Sequence, residues 1–379
     1  MKTNLLILFF VYLCCTSCQT DLDKEVSVAQ SDNMPEKFFK VDSSLVLSIA
    51  VNINSYTGVQ TKGVYQQKEI KNIIPYGKGR SLPTMYIVNY QSDGFSIIST
   101  DKRVTPILSY SNEGEFSLDD APEGVTLWLE WVSDGITLYR DQNVQPDPMI
   151  TSMWNKAECP VEAKMVNCNK PGTSSQIVKG PYLKSTWSQR SGFDKYCPTG
   201  CPAGCIPVAA AQLMRYWQHP SAYAWSKMPL DRASDESASL LKILGESKYF
   251  DVSYGKDGSS ARNAFTDNVL RDLGYNATRE KYNYPKVEDN VMYGKPVLLE
   301  GKNEVTGIGH TWVCDGIQIF NSTTYSSSYL YMHWGWSGGY CDGYYMLDNW
   351  SHKDPATGKL EFDYKPNFLH RMIVDISPK

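Results

Sequence analysis

The feature that most constrains this chain is a cysteine at the start of an alanine-rich helix. Residues 204–212 read GCIPVAAAQ, which places Cys205 in the first helical turn. A helix N-terminus is the positive end of the helix dipole and has unpaired N–H groups, so it favours a thiolate and can hold an oxyanion. The pattern therefore indicates a nucleophilic thiol. A buried structural cysteine is the alternative, because free cysteine is among the most buried residue types.

A nucleophilic thiol needs a base, and the chain has five histidines. His219 follows the Cys205 helix too closely along the chain to reach back to the thiol. His310 lies in GHTWVCDG, residues 309–316, whose alternation predicts a strand that ends in an Asp-Gly turn. A cysteine on a helix opposite a histidine on a strand is the papain arrangement. We therefore expect His310 to be the base.

A third segment, YLYMHWGWSGGY at residues 329–340, predicts a strand that runs into a glycine-rich turn. Together the three segments resemble the streptopain family of secreted bacterial cysteine peptidases, papain-like enzymes made with an N-terminal inhibitory propeptide. The resemblance covers most of residues 180–379. Its elements, in the family's order, are Gly204-Cys205, Gly309-His310 with Asp315-Gly316, Trp334-Gly335-Trp336-Ser337-Gly338 and Asp342-Gly343-Tyr344-Tyr345.

This resemblance implies a fold and a set of roles. The fold is α+β, a papain-like catalytic domain with a helical half and an antiparallel β-sheet half, preceded by a small α+β propeptide domain. Cys205 is the implied nucleophile and His310 the general base and acid. Gln189 joins the Cys205 backbone N–H in an oxyanion hole, where one donor is often worth about 2.7–4 kcal/mol. Trp334 covers the imidazole, and no cofactor is implied.

The sequence departs from the family pattern at two important positions. His333 replaces the asparagine that orients the catalytic histidine. A charged His333 would repel an imidazolium, so we expect activity to be reduced or confined to neutral and higher pH. Glu300 stands where the family favours glutamine, and its acid would disturb oxyanion binding if it points into the cleft. Pro207 replaces a small residue but is tolerated in a first helical turn.

The N-terminus predicts export. Lys2 precedes an apolar run, residues 5–13, that is too short to cross a bilayer, and small residues then lead to Cys18. We interpret residues 1–17 as a lipoprotein signal, with cleavage before Cys18 and lipidation of its thiol. The protein is then an outer-membrane or cell-surface lipoprotein. Cys15 stands where such signals usually have leucine, which leaves simple secretion open.

The region before the enzyme resembles the family's propeptide. Residues 85–90 and 95–99 are apolar runs that flank a QSDG turn, which predicts a β-hairpin. Apolar residues recur at helical spacing between Val125 and Tyr139, after Pro122. A folded module of unknown role is the simpler interpretation of the same pattern.

Composition shifts suggest the domain boundaries. A polar stretch with PGTSS indicates a linker, where we expect processing. Downstream, residues 240–244 and 264–273 suggest helices, while residues 296–300, 310–319, 329–333 and 344–347 suggest an antiparallel sheet. The predicted organisation is a signal at 1–17, a tether at 18–40, a propeptide domain at 41–170, a processing linker at 171–180 and a peptidase domain at 181–379.

Charge and cysteine spacing limit the other classes of function. The net charge is −4 and no basic cluster is present, which argues against nucleic-acid binding. Cys197, Cys201 and Cys205 form C-x3-C-x3-C, which lacks the usual spacing of a zinc site. In an extracytoplasmic protein we instead expect a disulfide that involves Cys197 or Cys201, and Cys159 with Cys168 would close a small loop.

The leading hypothesis is a surface-anchored cysteine endopeptidase zymogen that cleaves proteins and is inhibited by its own propeptide. The family resemblance implies an aliphatic or aromatic P2 side chain. A catalytically weak or inactive homologue that binds proteins at the cell surface is favoured by His333 and Glu300. A transglutaminase-like acyltransferase is the third candidate, but it would usually need an aspartate partner for its histidine, and none occupies the matching position.

Overall fold

A computed structural model describes residues 39–58, 65–77, 82–158, 175–263, 267–321, 326–347, 350–353 and 360–379. The predicted signal, residues 18–38 of the predicted tether, Cys159 and Cys168 lie outside these residues. The helices are α1 (Ser43–Val51), α2 (Ile53–Thr57), α3 (Glu123–Asp141), α4 (Pro148–Glu158), α5 (Cys205–Trp217), α6 (Asp235–Leu244), α7 (Asp267–Asp272) and α8 (Tyr284–Met292). Within the described residues, no helix combines the length and apolar character needed to cross a membrane.

Most strands belong to one large antiparallel sheet. Its order is β1-β2-β3-β4-β12-β11-β10-β9-β15-β8, and β5 pairs with β10 beside this path. Two short hairpins, β6-β7 and β13-β14, lie apart from it. The strands are β1 (Ile70–Tyr76), β2 (Met85–Tyr90), β3 (Phe95–Ser99), β4 (Ile107–Ser111), β5 (Ser175–Lys179), β6 (Val252–Ser253), β7 (Ser260–Ala261), β8 (Tyr275–Lys281), β9 (Val297–Lys302), β10 (Gly309–Asn321), β11 (Ser326–His333), β12 (Gly343–Tyr345), β13 (Trp350–Lys353), β14 (Leu360–Tyr364) and β15 (Leu369–Pro378).

The N-terminal region has the predicted hairpin and helix. Strands β2 and β3 pair in register, and Asp93 adopts φ 77° in the turn between them. Aspartate tolerates this left-handed conformation because its short side chain bonds locally, here accepting from the Gly94 N–H at 3.1 Å. Helix α3 begins directly after Pro122, as the apolar periodicity predicts.

The N-terminal and C-terminal regions share one sheet and one core. Strand β4 pairs with β12 through Tyr110 opposite Tyr344, and the two rings stack with centroids 5.2 Å apart. The Trp128 indole N–H of α3 donates to the Met346 carbonyl at 2.9 Å. Apolar side chains from both regions pack in a single cluster. The N-terminal region is therefore packed into the same sheet and core as the C-terminal region and is not a separate domain.

A second core supports the helical half. Helix α5 packs on α6 and on strand β10. Leu213, Leu241 and Val313, which are almost completely buried, belong to a cluster that is distinct from the one shared with the N-terminal region. The apolar periodicity of α5 and α6 places one face of each helix in this cluster.

Two sequence predictions are wrong in detail. Asp315-Gly316 is not a turn, because β10 continues to Asn321 and its register shifts between Cys314 and Gly316 as at a β-bulge. Residues 175–179 were expected to be linker, but they form β5 and pair with β10. Backbone hydrogen bonds to a neighbouring strand hold this part of the predicted linker in the sheet.

The predicted disulfide at Cys197 or Cys201 is also wrong, because both are free thiols. Burial raises the pKa of Cys197 above the ordinary thiol value. A thiol kept neutral in this way is a poor partner for disulfide exchange, which proceeds through the thiolate. Cys314 and Cys341 are free and buried as well.

Candidate active site

Cys205 is the first residue of α5, as the sequence predicts. Gly204 precedes it with φ 96° and makes no side-chain cap. Pro207 has no N–H, and the first bond of the helix runs from the Val208 N–H to the Gly204 carbonyl at 3.3 Å. The N–H groups at the start of α5 thus have no partner within the helix and are available to an anionic group of a bound substrate. The Cys205 side chain is partly exposed.

His310 lies near the start of β10, and its side chain is buried. Its Nε2 is 2.7 Å from the backbone carbonyl oxygen of Trp334. A carbonyl can only accept, so the proton is on Nε2, and Nδ1 is left as the nitrogen that can exchange a proton. The bond therefore sets the tautomer that a general base needs.

His310 and Cys205 interact directly. Burial lowers the pKa of His310, but the hydrogen bond and the charge of Cys205, together with Glu123 and the Trp334 carbonyl, outweigh it. As a result, the pKa of His310 lies above the ordinary histidine value. An opposite charge within bonding distance favours the protonated imidazole.

A cleft of about 330 Å³ lies beside both residues. The N-terminus of α5 forms one wall, and β9, β10 and β15 contribute the other. Glu300 lines this cleft, and its carboxylate is 3.5 Å from the Arg371 guanidinium. Burial raises the pKa of Glu300 and the Arg371 charge partly opposes this. The acid is thus bound to a cation on the β15 side of the cleft.

Gln189 lies beside the segment that leads to the thiol. Its backbone carbonyl accepts from the Ala203 N–H at 2.8 Å, two residues before Cys205. The Gln189 side chain is buried. The sequence prediction of an oxyanion role is compatible with this location.

His333 has partners other than the catalytic histidine that it was expected to orient. Its Nδ1 is 3.2 Å from an Asp342 oxygen, and its Nε2 is 3.2 Å from an Asp315 oxygen without good hydrogen-bond alignment. Both ring nitrogens are therefore directed at carboxylates, and the orienting contact to His310 comes from the Trp334 backbone. A backbone carbonyl is present at every residue, so this contact does not depend on the side chain at position 333.

The predicted cover of the imidazole also needs correction. Trp334 contacts His310 through its backbone carbonyl, while the Trp312 and Trp336 rings lie beside the imidazole at centroid distances of 6.0 and 6.4 Å. The Trp334 indole packs against Trp312 at 4.7 Å and Tyr345 at 5.2 Å. His310 and Trp312 are two residues apart in β10, so their side chains lie on the same face of the strand. This spacing could have predicted the contact.

Helix α3 makes a contact with the site that its sequence did not predict. Glu123, the first residue of α3, has a carboxylate oxygen 3.6 Å from His310 Nδ1. A side chain at Gly124 would come within 2.6 Å of the Trp334 ring and 3.0 Å of the His310 ring. The helix thus meets the imidazole at its proton-exchanging nitrogen. An acidic residue and a glycine at a helix start are too common to identify such a contact.

A thiol on a helix and an imidazole on an antiparallel sheet, facing each other across a cleft, define a papain-like cysteine peptidase. Comparisons with known proteins agree. Residues 24–136 match the family model for the Spi protease inhibitor, and residues 221–345 match the Peptidase C10 family. The first match covers the predicted hairpin and most of α3.

Individual relatives point the same way. Streptopain of Streptococcus pyogenes, including that of serotype M1, is 22% identical over 318 residues, which cover 70% of this chain and 74% of its own. A fragment of Prevotella intermedia prointerpain A has the same fold, with a TM-score of 0.52 and 18% identity over 81% of this chain and 99% of its own. The chain is thus similar to the streptopain-like C10 enzymes, and the two family models give it a cysteine endopeptidase region with an inhibitor-type propeptide.

Proposed function

We propose that Cys205 and His310 are the catalytic pair of this protease zymogen. The observation that carries the proposal is the buried His310, whose Nε2 is fixed by the Trp334 carbonyl while its other nitrogen is left for the thiol at the start of α5. His310 takes the thiol proton, and the Cys205 thiolate attacks the peptide carbonyl. The imidazolium then protonates the leaving amine, and water hydrolyses the thioester with His310 as base.

The oxyanion of the tetrahedral intermediate would be bound by the Cys205 N–H and the Gln189 side chain. The first is an unpaired donor at a helix N-terminus, which suits an anion. Gln189→Ala should then lower kcat by about 10²–10³-fold while KM changes little, because the bond forms only in the transition state. A rise in KM of about 10²–10³-fold with unchanged kcat would show that Gln189 does not stabilise the oxyanion.

A direct test of the pair uses the neighbouring cysteines. Cys205→Ala should abolish hydrolysis of an unfolded protein substrate and leave the full chain unprocessed. Cys201→Ala is the matched control, since Cys201 is a free, buried thiol in the same motif. Parent-rate hydrolysis by the Cys205 variant would contradict the proposal. The inactive-homologue alternative requires that neither the parent nor the control hydrolyses the substrate.

We further propose that the N-terminus of α3 is the inhibitory contact. Glu123 is near His310 Nδ1, and Gly124 lies where any side chain would strike the Trp334 ring. Glu123→Gln should raise the rate at which a small thiol reagent modifies Cys205 in the uncleaved chain. Glu130→Gln, on the same helix, is the control. Equal rates in both variants would rule out an inhibitory ion pair.

The processing site is proposed to precede Ser175. Cleavage inside residues 175–179 would cut a strand whose backbone is bonded to β10, and proteases prefer exposed, unpaired chain. A cut upstream leaves β5 in the mature enzyme. N-terminal sequencing of the active form should therefore find a start before Ser175. A start at Gly180 or beyond would contradict this and restore the original boundary.

The last proposal is anchoring through a lipid on Cys18, which rests on the sequence pattern of residues 1–18 alone. Cys18→Ala should move the protein from the membrane fraction to the soluble extracytoplasmic fraction without loss of specific activity. A variant that stays with the membrane would contradict lipidation at Cys18. Detection of the parent protein only in the medium would favour simple secretion.

A further inference from the structure

A buried polar cluster lies behind the catalytic histidine and is connected to it through one residue. Asp342 Oδ1 accepts the Trp334 backbone N–H at 2.8 Å. The Trp334 carbonyl, at the other end of that residue, is the group bonded to His310 Nε2 at 2.7 Å. A carboxylate acceptor makes a stronger bond than a neutral one. Asp342 therefore fixes the backbone on which the orientation of His310 depends.

The Asp342 carboxylate is itself held by His333. The second oxygen, Oδ2, is 3.2 Å from His333 Nδ1, and Asp315 approaches the other ring nitrogen at 3.2 Å. All three side chains are buried. A buried carboxylate is costly unless it is paired, and one imidazolium between two carboxylates satisfies much of that need. The cluster is thus a rigid charged support in which Asp342 alone of the two acids bonds residue 334.

We infer that Asp342 is a positioning residue for the peptidase reaction, acting on His310 through both ends of the Trp334 backbone, with His333 holding the carboxylate in place. This inference rests on the proposed Cys205 and His310 pair. It also gives the departure at His333 a function that differs from the asparagine it replaces. The His333 imidazole holds the Asp342 carboxylate, and this carboxylate fixes the Trp334 backbone that orients His310.

The inference predicts a specific effect on the pH profile. The basic limb of kcat/KM reports the loss of the His310 proton in the free enzyme. The groups that face His310 are Cys205, Glu123 in the uncleaved chain, the rings of Trp312 and Trp336, and the Trp334 carbonyl. The carbonyl bond stabilises the imidazolium, so loosening residue 334 should make that proton leave at lower pH.

Asp315 provides the matched control. Asp315 is buried like Asp342, and its carboxylate faces the same His333 ring. The Tyr331 ring also lies beside His333, with the ring centroids 5.0 Å apart. The backbone partner of the Asp315 carboxylate, however, is the Leu183 N–H at 2.6 Å and not residue 334. Asp315→Asn and Asp342→Asn therefore remove equivalent buried charges. Both should destabilise the fold, but only the second should disturb His310.

The experiment compares the two variants after the full chains have been processed by immobilised parent enzyme. For Asp342→Asn we expect kcat to fall about tenfold (about 1.4 kcal/mol), KM to change little, and the basic limb to move down by about one pH unit. Asp315→Asn should keep the parent profile. If Asp342→Asn does not fold, Asp342→Ser takes its place, since it also removes the carboxylate.

The outcomes separate this inference from the proposed function. Equal basic limbs in the parent and in a folded Asp342 variant would overturn the inference and leave the catalytic pair unaffected. Equal shifts in both aspartate variants would also overturn it, since the effect would then follow from loss of buried charge alone. Failure of the catalytic pair would appear elsewhere, as hydrolysis that persists in Cys205→Ala.

Discussion

Two buried histidines lie on neighbouring strands of this enzyme, and their surroundings differ. His310 on β10 bonds the Trp334 carbonyl and the Cys205 thiol, and in the uncleaved chain Glu123 lies 3.6 Å from its Nδ1. His333 on β11 has a carboxylate at each ring nitrogen. Burial lowers the pKa of His333, but Asp315 and Asp342 outweigh it and raise that pKa to about 10. Burial is therefore similar at the two sites, and the partners decide what each imidazole can do.

Because of these partners, His310 can exchange a proton near neutral pH and His333 cannot. A ring held by one neutral acceptor keeps its second nitrogen available, whereas a ring between two acids remains charged throughout the physiological range. His333 thus has no titration near neutral pH with which to disturb His310. The sequence-based expectation that a charging His333 would confine activity to neutral and higher pH is not supported by this arrangement.

The largest expected effect is a loss of catalysis after replacement of His310. His310→Ala should lower kcat by about 10²–10⁴-fold, because the general base and acid is lost. The unfolding midpoint should change less than after loss of the His333 charge, since the partners of His310 are a backbone carbonyl and the Cys205 thiol and not a pair of buried carboxylates. Peptide hydrolysis and thermal unfolding of the same preparation measure both quantities. Comparable hydrolysis by the variant and the parent would show that His310 is not the base.

Replacement of His333 should mainly lower the stability of the fold. His333→Ala leaves two buried carboxylates without their cation, and breaking a buried ion pair typically costs about 3–5 kcal/mol of unfolding free energy. Urea unfolding measures this loss. The control is the triple variant His333→Asn, Asp315→Asn and Asp342→Asn, which removes the charges together and should lose less. A stable His333→Ala protein would show that the cluster is not charged.

An intermediate effect concerns the inhibitory contact beside His310. Gly124→Val should clash with the Trp334 ring, which lies 2.6 Å from the position of an added Cβ. Overpacking of this kind costs about 1–3 kcal/mol, so α3 should dock about 5–150-fold less tightly. The rate of thiol modification in the uncleaved chain measures the change. Thr126→Val on the exposed face of α3 should have no effect.

The most gradual expected effect, spread over several pH units, is a pH dependence of stability that belongs to His333. Its folded pKa of about 10 exceeds the unfolded value of 6.5, so the folded state holds a proton that the unfolded state releases between these values. The stabilisation is full below pH 6.5 and is lost as pH rises through about 10. The free energy of unfolding should fall by up to about 1.4 kcal/mol per pH unit in this window. The triple neutral variant should lack this slope.

The sequence predicted the elements that local pattern controls. The hairpin β2-β3, the start of α3 after Pro122 and the position of Cys205 at the start of α5 follow from turn residues, periodicity and helix-start chemistry. The family resemblance supplied the pairing of Cys205 with a histidine on a strand. It also led to the wrong orienting group, because a backbone carbonyl leaves no mark in a sequence.

Long-range contacts account for the other differences. Asp-Gly is a typical turn sequence, but Asp315-Gly316 forms a β-bulge because β10 pairs with β11 on both sides of it. The polar residues of β5 look like linker, yet β10 offers them a free edge. Glu123 reaches His310 only because the N-terminal sheet joins the peptidase sheet through β4 and β12. Each of these depends on a partner far away along the chain.

The most direct test of the central claim is the site and rate of thiol modification in the processed enzyme. A peptidyl epoxide is opened by attack of the catalytic thiolate, and mass spectrometry locates the adduct. We expect one adduct, on Cys205, with none on the other four cysteines of the described residues. His310→Ala should slow its formation about 100-fold, whereas Asp315→Asn should not. An adduct on another cysteine, or an equal rate in His310→Ala, would contradict the assignment of Cys205 and His310 as the catalytic pair.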